Sequence, residues 1–262
     1  MAQSNDYIVK PVYKALHVLQ CIGDEQRKLT LTEISHLARL PKTTVFRYLY
    51  TLRECGFVAY DPDSDLYWLG LRIFELAQSV DEQLRIREIA HPFMRKLRDQ
   101  FNETVNLGLL DGQEVVYLEM IESRRSLRMQ ARLGSRDPVY STALGKAILA
   151  FLPEERWPQH LPPDLPPRTP HTHTTYSALQ QDLRQTRQRG FSLDREENEE
   201  GAHCLGAPIF NHLGQVAAAL SVSAPASRLA EPLRQQVASA MLKTAAAISR
   251  HLGYHLENSN QI

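Results

Sequence analysis

Leu31–Val58 reads LTEISHLARLPKTTVFRYLYTLRECGFV. Its first half places Leu31, Ile34, Leu37 and Ala38 on one face at helical spacing, and Leu40-Pro41 interrupts the pattern because proline has no backbone donor. A second helix starts at Lys42, where Val45, Leu49 and Leu52 recur at i, i+4 and i+7 as a narrow apolar stripe that packs on the first helix. Gly56 stops it. At about 100° per residue, Thr43, Thr44, Arg47, Tyr50 and Thr51 fall on the opposite side, joined by Lys42 at the start. Such a cluster suits a helix lying in a major groove and read from its N-terminal half.

Two amphipathic helices of this length are more commonly a plain helical hairpin. Three features favour a DNA reader. The connection is a tight turn, the outward face carries Lys42 and Arg47 among hydroxyls with no acid, and a hairpin pattern follows at once. In it, Phe57–Tyr60 and Leu66–Leu69 flank Asp61-Pro62-Asp63-Ser64-Asp65, which is turn chemistry between aromatic and branched runs. Together these elements make a winged helix-turn-helix.

Working outward, Val9–Ile22 carries Val12, Ala15, Leu16, Leu19 and Ile22 at helical spacing, a supporting first helix ending at Gly23. Leu71–Phe101 is a long charged stretch with Ile73, Leu76, Ala77, Val80 and Leu84 along one face, read as a linker helix broken at Pro92. A second copy of the chain is an available partner for that face. From Thr104 the period becomes two: strands are expected at Thr104–Leu109, Val115–Ile121 and Leu127–Arg132, with Asp111-Gly112 turning between the first two. A short helix follows at Ala143–Phe151, then a proline-rich loop over Pro153–Pro170 and a helix over Ser177–Gln188 capped by Gly190. Strands at Cys204–Phe210 and Val216–Ser223 and a helix from Ala230 to Leu252 complete an α+β domain with an antiparallel sheet.

With 262 residues the chain is long enough for two cores, and its 30 basic and 30 acidic side chains cancel. Zero net charge argues against indiscriminate coating of nucleic acid, yet the first sixty residues hold eight basic side chains against five acidic ones. Three widely spaced cysteines do not form a disulfide framework, and no stretch approaches the roughly 20 apolar residues of a membrane span or a signal-peptide core. A cytoplasmic protein is expected.

The densest chemistry of the second domain lies in GFSLDREENEEGAHCLGAPIFNHLGQVAAALSVS, Gly190–Ser223. Gly190, Asp194, Glu197, Cys204-Leu205-Gly206 and Ile209-Phe210-Asn211 stand at the signature spacing of the IclR family of bacterial transcriptional regulators, which the chain resembles over nearly its whole length. Leu40–Thr44 with Leu49, Leu52 and Gly56-Phe57-Val58 matches that family's reader, and Tyr140–Ala147 its effector-domain helix entry. The resemblance implies a GAF-like effector-binding domain that holds a small carboxylate, with Ala143, Leu144, Asp194, Cys204, Ser221 and Ser223 around it. Elementary chemistry agrees: helix-start N–H groups hold anions, and Ser221 and Ser223 alternate with Val222 and so share one face. Leu127–Gly134 and Pro138–Ala143 look most like the branch that senses ketodeoxygluconate, while other branches sense aromatic acids, glyoxylate or allantoin-derived acids.

Residues 1–70 are thus read as the DNA-binding domain, 71–101 as the linker helix and 102–257 as the effector-binding domain. The expected partners are double-stranded operator DNA, a small carboxylate and a second copy of the chain, with tetramers as the next assembly. No cofactor and no metal are expected. Repression of a catabolic operon, released by a sugar acid, is the function implied; activation of an aromatic-acid operon is the alternative. As an enzyme the chain lacks a nucleophile elbow and a phosphate loop, and acids around Cys204 suppress its thiolate. His171-x-His173, with Cys204 or His203, lacks standard zinc spacing.

Overall fold

The computed structural model describes residues 7–25, 27–78 and 81–254. The chain forms two compact units, Met1–Leu84 and Arg85–Ile262. Among the described residues no helix is long and apolar enough to cross a membrane.

The first unit contains α1 (Lys10–Glu25), α2 (Leu31–Ala38), α3 (Lys42–Glu54), strands β1 (Val58–Asp61) and β2 (Leu66–Leu69), and α4 (Arg72–Gln78). Thr30 caps α2 through a capping box with Glu33, whose carboxylate also accepts from the Thr30 N–H at 2.8 Å. Arg39 in the left-handed region turns the chain between α2 and α3, and the Ser35 hydroxyl donates to the Leu40 carbonyl at 2.6 Å to hold the turn. Val45, Leu49 and Leu52 of α3 are buried with Val18, Ile22, Leu29, Ile34 and Ala38 in one core. β1 and β2 pair antiparallel from Val58↔Leu69 to Asp61↔Leu66, and Leu29 bridges to Tyr67 as a third contributor to the wing.

Three expectations for this unit are corrected. Helix α1 continues through Gly23 to Glu25. Its inward residues are Val18 and Ile22, whereas Val12 and Leu16 lie exposed on another face with Val9 and Tyr13. Leu37 is likewise exposed, because the buried side of α2 is set by Ile34 and Ala38. Of the face expected along the linker, Val80 and the side chains of Ala77 and Leu84 lie outside the described residues.

The second unit is built on a six-stranded antiparallel sheet in the order β5-β4-β3-β8-β7-β6. Its strands are β3 (Thr104–Asp111), β4 (Glu114–Ile121), β5 (Arg136–Pro138), β6 (Ser192–Arg195), β7 (Ala202–Phe210) and β8 (Val216–Pro225). One face, carrying Val105, Leu107, Leu205, Ala207, Leu220 and Val222, packs against α5 (Asp81–Phe101) and α8 (Leu233–His251). The other supports α6 (Ala143–Phe151), which packs with α7 (Tyr176–Arg189) around the buried Trp157.

Pro92 lies inside α5 and does not break it. Interior proline costs about 3 kcal/mol, but Ile86, Ala90, Met94 and Leu97 of α5 are all buried in the core, and each large side chain there contributes roughly 1.5–3 kcal/mol. Burial wins. The strand expected at Leu127–Arg132 is absent: the segment is irregular, held by Thr104 Oγ1 donating to the Met129 carbonyl at 2.8 Å and Arg228 donating to the Leu127 carbonyl at 3.0 Å. Side-chain donors replace a ladder there. β5 forms instead, six residues beyond Gln130, and β6 is a strand not anticipated. The proline-rich loop contains a 3-10 helix, Glu154–His160, whose Trp157 donates to the Leu149 carbonyl at 2.6 Å.

Two glycines let α6 touch its neighbours. A Cβ on Gly145 would overlap the Val139 backbone, and one on Gly206 would overlap the Ala143 carbonyl and Ser192 Oγ. Backbone cannot yield as a flexible side chain does, so Gly206→Ala is expected to cost on the order of 2–3 kcal/mol and lower the Tm by roughly 5–10 °C. Thermal unfolding followed by circular dichroism checks this, and an unchanged Tm would mean that α6 is not seated against β7.

Candidate functional site

The candidate reading surface is α3. Lys42, Thr43, Arg47, Tyr50 and Thr51 are exposed and Thr44 is half-buried. Among the described residues neither Lys42 nor Arg47 has an acidic partner, whereas Arg53 is paired with Glu54 at 3.3 Å and lies over the Tyr50 ring. The positive charge of the N-terminal half is therefore available to phosphates or base edges. Phe46 is 51% exposed on the same helix, between Thr43 and Arg47. Sequence reading passed over it by looking only for hydrogen-bonding groups; an aromatic outside the Val45/Leu49/Leu52 stripe was the available signal. A flat apolar group there suits a thymine methyl.

In the second unit a cavity of about 300 Å³ opens between the start of α6 and the polar face of the sheet. Ala143, Leu144, Asp194, Cys204, Ser221 and Ser223 all line it. Register explains why. Thr104 pairs with Ser223, Ser223 with Cys204, and Cys204 with Asp194, so one row crosses four strands; the next row runs Asn106, Ser221, Gly206, Ser192. Because strand side chains alternate in direction, both rows face α6 while their neighbours build the apolar core behind. Asn106 was not singled out from sequence, although Thr104-Val105-Asn106-Leu107 carries the same polar-apolar alternation that marked Ser221 and Ser223.

At the mouth of α6, Thr142 caps by accepting from the Gly145 N–H at 3.1 Å while donating to the Pro138 carbonyl at 2.9 Å. Ala143 and Leu144 are each 2% exposed, and among the described residues their N–H groups have no acceptor. A buried helix start with free donors has the chemistry that favours an anion. Asp194 Oδ1 accepts from the Glu197 N–H at 2.8 Å and from that of Asn198 at 3.4 Å. Burial pushes its carboxyl up to about 7; Lys146 opposes this, and the Glu197 charge adds to it. Burial, reinforced by Asp194, also drives the Cys204 thiol far above its usual range, which removes the thiolate that nucleophilic chemistry needs. The Tyr117 hydroxyl donates to Asp137 at 3.1 Å and is raised by burial first and Asp137 second.

Behind this wall sits a buried ion cluster. Lys146 is fully buried, with Nζ at 2.5 Å from Glu197 and 2.8 Å from Asp182; Arg189 reaches Asp182 at 3.2 Å. Burial raises the Asp182 carboxyl, but the charge and hydrogen bond of Lys146 overcome it and hold it below its ordinary value. His173, Asp182 and Glu197 converge within 4.8 Å, as metal ligands do. The Lys146 ammonium already takes the place of a cation between the two carboxylates. Among the described residues that cluster contains neither His171, Cys204 nor His203.

Removing Lys146 leaves Glu197 without its ammonium partner and Asp182 with Arg189 alone in low dielectric. Lys146→Met is expected to destabilise the fold by roughly 3–5 kcal/mol, read as a lower denaturation midpoint at unchanged slope. A loss below about 1 kcal/mol would show that the carboxylates find other partners.

Comparison with known proteins completes the picture. Residues 11–62 match the IclR helix-turn-helix domain and residues 78–250 the bacterial transcriptional regulator IclR C-terminal domain. The chain is 39% identical over 249 residues to the HTH-type transcriptional regulator KdgR of Escherichia coli (strain K12), covering 94% of each chain. It is 33% identical over 241 residues to the HTH-type transcriptional repressor AllR of the same strain, covering 92% of this chain and 89% of that one. Among solved structures, the IclR of Thermotoga maritima superposes with a TM-score of 0.78 at 35% identity over 94% of this chain and all of its own. An IclR homologue from Microbacterium hydrocarbonoxydans complexed with 4-hydroxybenzoate gives 0.79 at 27% identity over 92% and 98%. With a reader helix, a ligand-sized cavity and these matches over both units, the chain is a ligand-responsive DNA-binding regulator, not an enzyme, and belongs to the IclR family of bacterial transcriptional regulators.

Proposed function

We propose that the chain is a cytoplasmic repressor of a catabolic operon, read by α3 through Lys42, Thr43, Thr44, Arg47, Tyr50 and Thr51, and that it is released by a small hydroxylated carboxylate. The effector half rests on the unpaired N–H groups of Ala143 and Leu144 at a buried helix start, a site that fits a carboxylate without a buried cation. Facing it across the cavity, Asp194, Cys204, Ser221 and Ser223 orient the rest of the molecule. A cavity with Thr104, Asn106, Ser221 and Ser223 on its wall favours a sugar acid over the flat apolar body of an aromatic acid. Likeness to the sugar-acid-sensing branch supports the same choice.

Operator titrations test both halves. Arg47→Ala is expected to weaken specific binding by about 1–3 kcal/mol at fixed salt. Ser221→Ala with Ser223→Ala should leave ligand-free operator affinity intact and abolish release by a sugar acid. Since Asp194 ionises near pH 7, an anion beside it binds with proton uptake, and the acid needed for half-release rises as the pH climbs from 6 to 8. Equal release of wild type and the double-serine variant would refute the cavity reading and leave the DNA reading standing.

The regulator acts as a dimer, because one winged helix reads only one half-site. The contact we assign to it is on α1 and the residue just before it, where Val9, Val12, Tyr13 and Leu16 recur at i, i+3, i+4 and i+7 and are all more than half exposed. Tetramers on DNA would add a further contact. Val12→Asp with Leu16→Asp is expected to convert the dimer to monomer in light scattering at micromolar concentration; a persisting dimer places the interface elsewhere.

A further inference from the structure

We infer that Arg228, which is not itself among the residues lining the cavity, is a positioning residue that sets how fast a ligand enters and leaves. By gripping the Glu103 carboxylate and the Leu127 carbonyl together, it fastens the segment Leu127–Arg132 as a wall that opens for ligand exchange. This rests on the reading that the cavity holds a small carboxylate at the start of α6.

Met129, Gln130, Ala131 and Arg132 form one side of the cavity, yet they belong to no strand or helix. The segment is anchored at both ends. Ser123 Oγ donates to the Asn102 carbonyl at 2.6 Å and the Arg124 N–H to Asn102 Oδ1 at 2.9 Å, while at the far end the Gly134 N–H donates to the Tyr117 carbonyl at 2.8 Å. Between these anchors, among the described residues, no main-chain group from Leu127 to Ala131 bonds to another main-chain group. Side chains hold the stretch instead. Arg228 Nη2 donates to the Leu127 carbonyl at 3.0 Å, Thr104 Oγ1 to the Met129 carbonyl at 2.8 Å, and the Ala131 N–H reaches Met120 Sδ at 3.3 Å. Arg128 and Gln130 also tie to Glu122, but that group lies towards solvent, where such pairs contribute little.

Arg228 is the rigid member of this set. Its Nε and Nη2 hold the two oxygens of Glu103 at 2.7 and 2.8 Å, and Glu103 is 2% exposed. The other cation near that carboxylate, Arg125, stands off at 3.7 Å. A bidentate pair with a buried carboxylate fixes the plane of the guanidinium, so the remaining Nη2 hydrogen meets Leu127 from a set place. A wall held by a few side-chain hydrogen bonds opens locally without disturbing the sheet behind it. Each fastener then governs how often it opens, and losing one from the closed form alone raises the open population by about 10-fold.

Arg228→Lys separates the clamp from the charge: lysine keeps an ammonium for Glu103 but lacks the planar fork that reaches Leu127 at the same time. Two measurements on the full chain test it. Brief trypsin digestion, with cuts located by mass spectrometry, reads the opening at Arg128 and Arg132, and surface plasmon resonance with gluconate reads kon and koff. Relative to wild type, Arg228→Lys is expected to be cut about 10-fold faster at those two arginines and to bind and release gluconate about 10-fold faster, with Kd within about 3-fold. A purely structural role would lower the Tm and speed cutting throughout the chain. Unchanged cutting at Arg128 and Arg132 overturns the inference. So does faster cutting with unchanged gluconate rates, since ligand then passes by another route, and so does a rise in koff alone, which marks an ordinary lost contact. In each of these cases wild type still binds gluconate and the cavity reading stands. Absence of gluconate binding by wild type overturns the cavity reading and the inference together. Should Arg228→Lys fail to fold, as judged by near-ultraviolet circular dichroism, Thr104→Val removes the neighbouring fastener and is expected to raise cutting and kon in the same way; no rise in either overturns the inference.

Discussion

The second unit depends on one contact: the first turn of α6 pressed against the middle of β7, with no side chain between Gly206 and the Ala143 carbonyl. Ser192 donates to that same carbonyl at 2.5 Å and fixes the helix start over the sheet. Seating a helix N-terminus so deeply has a cost, since the donors of its first turn lose water and gain nothing from the helix. Thr142 satisfies one of them, at Gly145. The others are left to whatever enters the cavity. A site that binds anions through backbone groups carries no net charge of its own, which is how the proposed site would hold an acid without a buried arginine.

Period-two alternation gives the sheet two different jobs. Val105, Leu107, Leu205 and Val222 lock it to α5 and α8, while Thr104, Asn106, Cys204 and Ser223 turn the same strands toward the ligand. Asn106 and Ser221 alternate with Val105, Leu107, Leu220 and Val222, which share one core with Ile86, Ala90, Met94 and Leu97 of α5. Helix α5 begins at Asp81 and so continues from the chain of the reading unit into the core of the sensing unit. Its burial through Ile86, Ala90, Met94 and Leu97 is what carries it past Pro92 without a break.

Much of this was legible in the sequence, for reasons that differ by element. The reader was clear because Val45, Leu49 and Leu52 repeat at a helical period and proline marks its start, signals confined to adjacent residues. Cavity residues on β7 and β8 were found through signature spacing and through the Ser221-Val222-Ser223 alternation. Asn106 was missed although it shows that same alternation, because its importance comes from pairing with a strand 115 residues away. Lys146 lay inside the matched stretch Tyr140–Ala147 but was given no role. Lysine is rarely buried, and its partners Asp182 and Glu197 come from distant segments that only the fold assembles. Exposure misled at Val12 and Leu16, where period alone cannot say which of two apolar faces turns inward.

That second face on α1 also bears on how a weak signal at the cavity can matter. A ligand changes operator affinity only by the free energy with which it prefers one arrangement over another, commonly 1–3 kcal/mol. In the proposed dimer, two readers would bind two half-sites together, so the penalty for a wrong spacing between them would apply to both contacts at once. Charge would amplify the effect if, as proposed, Lys42 and Arg47 act on phosphates, whose position is fixed by the duplex. The cavity therefore has no need to dismantle either reader. On the proposed reading it has only to make the spacing that the operator demands the less favourable one, and a few hydrogen bonds at Ser221, Ser223 and the start of α6 would be of the right size for that.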